Sequence, residues 1–393
     1  MFPRFTVQAA GGEGVVDGAG WRPSRIKPRM SDRYITASPE KARTYIRGFD
    51  GLRALSILMV LGTHLGLYQS LRPESFFARH VAPLIEGGTG VNIFFAISGF
   101  LISSILLREK QRTARINFKF FFARRFLRLL PTLLVFYGVV LVFMSDGTIH
   151  RTYVGLLLSF AYLYNFVSLH HFYSGELGST WSLAVEEQYY ALWPFVIGAV
   201  SRSRVLIVIG LALTVSALAM AVFPRVYVPY HGRAYALGDL FMLSRLFFPA
   251  SVPIMLGSGA AILVLSGTLA TFLRSSTCVV LSGVLFGSAL YLPWAPSPYL
   301  VFPQAVGVAM FLAWLTYHQQ HPLTSLLEAA PLTFVGRISY GIYVWQGLFL
   351  RTGPGGTAAF QQFPANIILT FVVATVSYYT IEKYALSFKS RFK

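Results

Sequence analysis

The sequence is poor in cysteine and in charge. Its one cysteine, Cys278, excludes an internal disulfide and argues against a cysteine-based metal site or redox pair. Charged residues make up 12% of the 393 residues, against about 25% in ordinary soluble domains. With 55% hydrophobic residues and a mean hydropathy of +0.58, the composition excludes a typical soluble protein and predicts an integral membrane protein.

Apolar segments follow one another along nearly the whole chain. The hydrocarbon core of a bilayer is about 30 Å thick, and a helix of about 20 apolar residues crosses it. Because backbone polar groups must be satisfied inside lipid, these segments are expected to be helices. The sequence therefore predicts an all-α, polytopic transmembrane helix bundle built from eleven apolar segments, at about 51–69, 89–107, 131–144, 152–169, 182–200, 205–223, 246–265, 277–292, 300–317, 332–350 and 364–381.

Basic residues are clustered beside these segments. The formal net charge is +18, and the basic positions gather in the first 45 residues, between Arg108 and Arg128, at Arg202 and Arg204, and at the C-terminal end. This positive-inside pattern is typical of cytoplasmic loops and explains the charge without a nucleic-acid partner. It places both termini in the cytoplasm if one of the three segments between Arg128 and Arg202 is re-entrant or interfacial, which gives about ten crossings.

The same pattern divides the chain into three parts. Residues 1–45, rich in glycine, arginine and proline, are expected to form a disordered basic cytoplasmic tail. Residues 46–385 form the predicted transmembrane domain, and residues 386–393 a short basic cytoplasmic tail. The longest extracytoplasmic loop is expected at about Pro224 to Arg245, where tyrosines are available to stack on sugar rings.

Two ionisable residues, Arg53 and His64, lie in the first apolar segment. They are eleven residues apart, so they share one helical face to within about 20° and are separated by about 16 Å along the axis. Ionisable residues inside membranes are usually functional, and a buried neutral histidine can accept a proton as a general base. The other interpretations are a histidine that only bonds neighbouring helices together and an arginine that only sets the topology.

Three arginines and two adjacent glutamates are further candidates. Arg124, Arg125 and Arg128 are related by i, i+3 and i, i+4 spacings, which group side chains that bind phosphate well. Contact with anionic lipid explains them equally. Glu186 and Glu187 lie beside an aromatic-rich apolar run and point about 100° apart on a helix. One of them is expected to orient or charge-balance the histidine, unless both only begin a solvated helix.

A glycine-rich stretch, Gly87 to Ser103, leads into the second apolar segment. Glycines at a helix start leave backbone N–H groups open, which suits an anion or a developing oxyanion, although such turns are common before a span. Asn92 and Ser98 are polar residues within this segment and are expected to face the interior of the bundle.

Five ordered stretches carry a family resemblance. They are "FDGLRALSILMVLGTHLG" with its Arg-x10-His pair, "GGTGVNIFFAISGFLIS", "FFARRFLRLLP" with Arg-x-x-Arg, "TWSLAVEEQYYALWP" and "VGRISYGIYVWQ". Together they resemble the acyltransferase-3 family of bacterial integral membrane O-acyltransferases, from about Phe49 to Tyr384. The sequence departs from the commoner family pattern at Asn92, where aspartate is frequent, and at Gln346, where histidine is frequent.

The resemblance implies an O-acyltransferase in the bacterial inner membrane, which moves an acyl group, usually acetyl from acetyl-CoA, to a hydroxyl of a glycan. It implies no bound cofactor and no metal, with acetyl-CoA as donor substrate. His64 is then the general base or the covalent acyl carrier, assisted by Glu186 or Glu187. The implied CoA-binding residues are Arg125 and Arg128, with Arg53 and Arg124 as further candidates. Candidates for contacts to substrate or oxyanion are Asn92, Ser98, Trp181, Ser182 and Tyr340.

The acceptor and the oligomeric state stay open at this point. A surface or exported carbohydrate, such as O-antigen or exopolysaccharide, is the expectation, and a macrolide or other small glycosylated metabolite is the alternative. No further domain follows Lys393, so a stand-alone member of the family is expected. A different class also remains, a proton-coupled transporter or flippase in which Arg53, His64 and a glutamate form a proton relay.

Overall fold

The computed structural model describes residues 45–67, 72, 75–149, 152–167, 172–290, 301–350, 356 and 358–392. The side chains of residues 79, 83, 222–243 and 289–290 are outside this description. The predicted tail 1–45 also lies outside the described residues, apart from Tyr45. From Ile46 onward the chain forms one compact unit, and the described residues in it are helical or irregular, without strands. The predicted all-α class is therefore confirmed.

Each predicted apolar segment corresponds to one helix. In the part of the chain that the structure describes, eleven α-helices have eight or more residues. They are α1 (Phe49–His64), α2 (Gly87–Thr113), α3 (Phe118–Ser145), α4 (Tyr153–Phe160), α5 (Thr180–Ala199), α6 (Arg202–Arg245), α7 (Val252–Ser266), α8 (Ser276–Phe286), α9 (Val301–Tyr317), α10 (Ala330–Phe349) and α11 (Ala365–Ser377). A π-helical turn, Tyr378–Glu382, continues α11 toward a C-terminal 3-10 helix, Phe388–Phe392.

Several helices are suited to crossing a membrane. Among the described residues, four are long and apolar enough by themselves, namely Gly87–Thr113, Phe118–Ser145, Arg202–Ala221 and Ala365–Phe392. Three shorter apolar helices are Val252–Ser266, Ser276–Phe286 and Val301–Tyr317. The structure thus supports a helical membrane protein, and the count of about ten crossings stays a prediction.

Helix α4 is the shortest of the eleven. Its eight residues span about 12 Å, less than half of the hydrocarbon core, and a 3-10 turn, Tyr164–Phe166, follows it. Ser159 joins it to both neighbours, because its hydroxyl lies 3.0 Å from the Tyr137 hydroxyl of α3 and donates to Thr180 Oγ1 of α5 at 2.8 Å. Of the three segments between Arg128 and Arg202, this one fits the predicted re-entrant or interfacial segment.

Helix α6 continues further than the sequence predicts. The segment from Pro224 to Arg245 is predicted as a loop, but the backbone remains helical to Arg245, so that prediction is wrong. Prolines suggest a loop because each removes one N–H donor, yet their fixed φ is compatible with a helix. The tyrosines expected to stack on sugars belong to the side chains outside the described residues.

At one end of the bundle, which we call the basic end, arginine and lysine side chains donate hydrogen bonds to carbonyls at the ends of neighbouring helices. Arg124 Nη1 at the start of α3 donates to the carbonyl oxygen of Phe392 at 2.8 Å. Arg202 Nη1 at the start of α6 donates to the carbonyl oxygen of Leu265, near the end of α7, at 3.3 Å. Lys110 Nζ near the end of α2 donates to the last carbonyls of α5, those of Ile197, Gly198 and Val200. These bonds satisfy helix carbonyls that would otherwise lack partners.

Helices α1 and α2 pack antiparallel. The rings of Phe49 and Phe100 lie 5.4 Å apart, and the N–H of Gly87 donates to Thr63 Oγ1 at 2.7 Å. This register places His64 at the end of the bundle opposite the basic end, which we call the far end. It also places Arg53 about level with Ser98 of α2.

Glycine allows the helices around Arg53 to approach closely. A Cβ on Gly90 of α2 would lie 2.5 Å from the carbonyl oxygen of Ser56 on α1. A Cβ on Gly336 of α10 would collide with the carbonyl oxygen of Asp50. Small residues permit this packing where lipid supplies little hydrophobic driving force. Helix α1 is therefore held tightly between α2 and α10.

Candidate active site

Arg125 of α3 reaches two glutamates of α5. Its Nη2 lies 3.3 Å from Glu187 Oε1 and 3.7 Å from Glu186 Oε1. Its guanidinium carbon also lies 3.6 Å from the ring centroid of Tyr190, in a cation–π contact. Glu186 and Tyr190 are i, i+4 on α5, so one helical face presents both to the same arginine. The side chains of Arg125 and both glutamates are 15–20% exposed, so these charges are mostly withdrawn from solvent.

Glu186 is the more strongly bound of the two carboxylates. Besides Arg125, its Oε1 accepts hydrogen bonds from Ser98 Oγ and from the Tyr190 hydroxyl, both at 2.5 Å. Charge-assisted bonds of this length fix a carboxylate in direction. Glu186 therefore acts as a junction between α2, α3 and α5. Among the described residues, Arg125 is the one hydrogen-bond and ion-pair partner of Glu187.

Ser98→Ala is expected to lower stability by about 1.5–3 kcal/mol, since it removes one hydrogen bond to a mostly buried charge. The measurement is thermal unfolding of the purified protein in detergent. Ser56→Ala is the matched control, because the buried Ser56 hydroxyl bonds only to the Leu52 carbonyl of its own helix, at 2.8 Å. Equal unfolding temperatures for the two variants would contradict the junction.

Arg128 and Arg53 lie beside this junction. Arg128 is three residues beyond Arg125 on α3, and its electrostatic neighbours include Arg53, Arg125 and Glu186. Arg53 Nη1 lies 3.1 Å from Asp50 Oδ1, one turn earlier on α1. Glu382, in the turn after α11, is a further electrostatic neighbour of Arg128. The structure thus brings three of the predicted arginines and both predicted glutamates into one group, which we call the arginine–glutamate cluster.

Arg124 points to a different place. Its Nη2 lies 3.2 Å from Glu109 Oε2 near the end of α2, while its Nη1 bonds to Phe392. Arg124 therefore faces the C-terminal 3-10 helix and not the two glutamates of α5, and its ion pair with Glu109 is about as withdrawn from solvent as theirs, with side chains 19–20% exposed.

His64 is the last residue of α1 and is half-buried. It lies about 16 Å along the helix axis from Arg53, and thus at a different level from the arginine–glutamate cluster. Within the described residues the glutamates contact Ser98, Arg125 and Tyr190, so the structure brings them to the arginines and not to His64. Glu86, just before α2 at the far end, is a carboxyl that the sequence did not single out, and partial burial raises its pKa.

Of the remaining candidates, Trp181, Ser182 and Asn92 lie between these two levels, whereas Tyr340 lies beside Arg125 at the level of the cluster. The centroid of the Trp181 ring lies 6.3 Å from that of the Phe95 phenyl ring. The guanidinium carbon of Arg245 lies 5.1 Å from the centroid of the Trp181 ring. Ser182 Oγ and the Tyr343 hydroxyl are 2.5 Å apart, which links α5 to α10. The Tyr340 hydroxyl donates to the Leu129 carbonyl of α3 at 2.7 Å, and Asn92 is half-buried on α2.

A family model described as an acyltransferase domain, of the acyltransferase-3 family, matches residues 46–382. The chain belongs to the acyltransferase-3 family. This confirms the resemblance that the five stretches indicate. The matched range includes every predicted site residue, whose individual roles stay predictions. No solved structure matches the chain significantly.

Relatives of this acyltransferase-3 chain include proteins named for O-acetylation. It is 30% identical over 375 residues to the peptidoglycan O-acetyltransferase OatA of Listeria monocytogenes, covering 87% of this chain and 56% of that protein. It is 26% identical over 366 residues to the O-acetyltransferase OatA of Staphylococcus aureus, covering 86% and 57%. The Bacillus subtilis protein YrhL, provisionally named a peptidoglycan O-acetyltransferase, is 32% identical over 367 residues, covering 86% and 54%. The chain spans a little over half the length of these curated relatives.

Some residues of this acyltransferase-3 site are not apparent from the sequence. Tyr190 could have been found by its i, i+4 spacing from Glu186 in a segment already singled out. Glu382 is a lone acid at the end of the last apolar segment. Gln346 was noted only as a departure from the family pattern, but it is 1% exposed, and both polar atoms of its amide are buried without a hydrogen-bond partner among the described residues. No trio of His, Cys, Asp or Glu in the described residues is arranged to hold a metal.

Proposed function

We propose that this protein is a membrane O-acetyltransferase of the bacterial inner membrane, with both termini cytoplasmic. It takes acetyl from acetyl-CoA at the basic end and transfers it to a hydroxyl of a cell-wall glycan at the far end. The printed names of the Listeria and Bacillus relatives favour a peptidoglycan-type acceptor over O-antigen or exopolysaccharide.

The observation that carries this proposal is the placement of two groups on α1. Arg53 lies at the level of the arginine–glutamate cluster, and His64 lies about 16 Å further along the same face. Acetyl-CoA has its phosphates at one end and its thioester at the other, joined by an extended pantetheine arm. Phosphates held by arginines at the basic end would leave the thioester free to reach toward His64.

The chemical step needs one proton acceptor. As a general base, His64 takes the proton of the acceptor hydroxyl, whose oxygen attacks the thioester carbonyl carbon. The carbon–sulfur bond breaks, the thiolate of CoA leaves, and the imidazolium returns the proton to it. As a covalent carrier, a nitrogen of His64 attacks the thioester carbonyl carbon, the carbon–sulfur bond breaks, and the thiolate of CoA leaves with the proton that the imidazole gives up. The acceptor oxygen then attacks the acetyl carbon, the carbon–nitrogen bond breaks, and the proton of the hydroxyl returns to the imidazole. Both routes use the same residue.

Arg128 is the arginine best placed to hold a phosphate. Arg125 is already engaged by two carboxylates and a ring, and Arg53 by Asp50. Arg128 makes no ion pair among the described residues, and Arg53 and Arg125 act on it together with Glu186 and Glu382, so it is the arginine of the cluster left without a fixed partner. Guanidinium groups bind phosphate through paired hydrogen bonds.

Arg128→Ala is expected to raise the KM for acetyl-CoA by about 10- to 100-fold with a smaller change in kcat, since one or two charge-assisted bonds to phosphate are lost. Steady-state transfer assays measure this. Arg115→Ala, at an exposed arginine near the basic end, is the matched control and should resemble wild type. An unchanged KM for acetyl-CoA in Arg128→Ala would mean that Arg128 does not bind the donor and only helps to set the membrane topology.

The proposal as a whole is tested with purified full-length protein in lipid nanodiscs and acetyl-labelled acetyl-CoA. Peptidoglycan fragments, O-antigen and exopolysaccharide are supplied as separate acceptors, and both labelled glycan and released CoA are measured. We expect label on the peptidoglycan fragments together with an equal release of CoA. No label on any acceptor, combined with pH-driven uptake in proteoliposomes, would instead indicate the transporter class.

A further inference from the structure

The C-terminal segment is folded onto the basic end. Arg124 Nη1 donates to the carbonyl oxygen of Phe392 at 2.8 Å, and the rings of Phe392 and Phe120 lie 5.9 Å apart. The Tyr384 and Phe388 rings, 5.2 Å apart, pack along the same segment. The 3-10 helix Phe388–Phe392 is thereby held against the first turns of α3, although the family match ends at residue 382.

This packing brings another cation to the predicted donor site. Lys389 lies in the 3-10 helix with an exposed side chain, and its electrostatic neighbours are Arg128, Arg124 and Arg125. Arg124 and Arg125 are paired with glutamates, whereas Lys389 makes no ion pair with a carboxylate among the described residues and is influenced by these arginines. Like charges brought together are unfavourable unless an anion joins them. The arrangement is therefore suited to a phosphate group that bridges Lys389 and Arg128.

We propose that Lys389 completes the phosphate-binding site for the acyl donor at the basic end. This rests on the proposed function, and it adds to the site a residue beyond the matched family range. Lys389 is exposed where Arg128 is mostly withdrawn, so it contacts the outermost phosphate of the CoA nucleotide. The headgroup of an anionic lipid offers the same phosphate chemistry.

The chain offers a close control for this proposal. Arg391 is exposed, lies two residues from Lys389, and has its guanidinium 5.0 Å from the ring of Phe388. At three residues per turn, Lys389 and Arg391 point about 120° apart. Replacing either one removes one positive charge from the same short helix, so a difference between the two variants reports position and not net charge.

The experiment measures CoA binding and acetyl-CoA kinetics for wild type, Lys389→Ala, Lys389→Arg and Arg391→Ala, each as the full chain in nanodiscs. Lys389→Ala is expected to weaken CoA binding and raise the KM by about three- to tenfold, with kcat unchanged. Lys389→Arg should restore most of the loss, and Arg391→Ala should stay within twofold of wild type. Equal CoA binding by Lys389→Ala and wild type, or equal losses in Lys389→Ala and Arg391→Ala, would overturn the proposal.

Two further arms separate the possible sources of phosphate and the two proposals. Nanodiscs of neutral lipid are compared with nanodiscs containing anionic lipid. If Lys389→Ala binds CoA more weakly than wild type in both kinds of nanodisc, the acyl donor is the ligand of Lys389. If the two proteins differ only in nanodiscs with anionic lipid, the ligand is the lipid headgroup and the donor assignment is overturned. If wild type binds CoA through Lys389 but transfers no acetyl group, the inference stands and the proposed function fails. If wild type binds no CoA, the inference is overturned.

Discussion

His64→Ala is expected to lower acetyl transfer by about 10²- to 10⁴-fold while the protein remains folded and inserted. The imidazole is the one group that the account uses to move a proton or carry the acetyl group, and alanine does neither. His64 is the last residue of α1, so its loss removes little packing. Transfer of label from acetyl-CoA to peptidoglycan fragments measures the effect, and size-exclusion chromatography checks the fold.

His80→Ala is the control for this substitution. His80 lies in the π-helical turn Phe77–Val81 between α1 and α2, half-buried, with its ring 4.8 Å from that of Phe76. It should keep near wild-type activity. Activity of His64→Ala within a few-fold of wild type would remove both the base and the carrier role. Incubation with labelled acetyl-CoA in the absence of acceptor separates the two roles. Acetyl label that stays on the wild-type protein, but not on His64→Ala, would favour His64 as the covalent carrier.

Arg125→Ala is expected to destabilise the protein by about 2–4 kcal/mol, because it leaves two mostly buried carboxylates without their cation. This expected loss of stability is smaller than for a fully buried ion pair, because the three side chains are partly exposed to solvent. Loss of the cation–π contact with Tyr190 adds to the effect. Thermal unfolding in detergent, followed by the loss of the monodisperse peak, measures it.

Two comparisons make this prediction specific. Arg124→Ala removes an arginine of the same helix whose ion pair is about equally withdrawn from solvent, but it leaves one carboxylate, Glu109, without its cation instead of two, and should cost less than Arg125→Ala. Combining Arg125→Met with Glu186→Gln and Glu187→Gln removes the unpaired charges and should recover much of the loss. An Arg125→Ala variant no less stable than Arg124→Ala would mean that the arginine–glutamate cluster does not hold α3 to α5.

The positions of the helices can be predicted from the sequence wherever a long apolar segment marks them. Every predicted apolar segment became a helix, and the positive-inside pattern required one short segment in the range that contains α4. Hydropathy does not identify which segment this is, because residues 161–167, which follow the end of α4, are apolar apart from Asn165 although they do not continue the α-helix. The loop predicted from Pro224 to Arg245 is the stretch between two apolar segments, and that prediction is wrong because a helical backbone continues beyond the end of the apolar run.

The site was predictable within a helix but not between helices. Spacing groups Arg125 with Arg128, and Arg53 with His64, because both relations are local. The pairing of Arg125 with Glu187 joins residues 62 positions apart and depends on how α3 and α5 pack. One of the two glutamates is predicted to orient His64, whereas the bond from Ser98 to Glu186 and the α1–α2 register put Glu186 at the level of Arg53.

The central claim is that the donor enters at the basic end and the acceptor is modified at the far end. Proteoliposomes containing one defined orientation of the protein test this directly, with labelled acetyl-CoA on the side of the basic end and peptidoglycan fragments on the other side. We predict acetylated fragments in the compartment that contains no acetyl-CoA, and none when His64→Ala replaces wild type. Product formed only when donor and acceptor share one compartment would contradict the account.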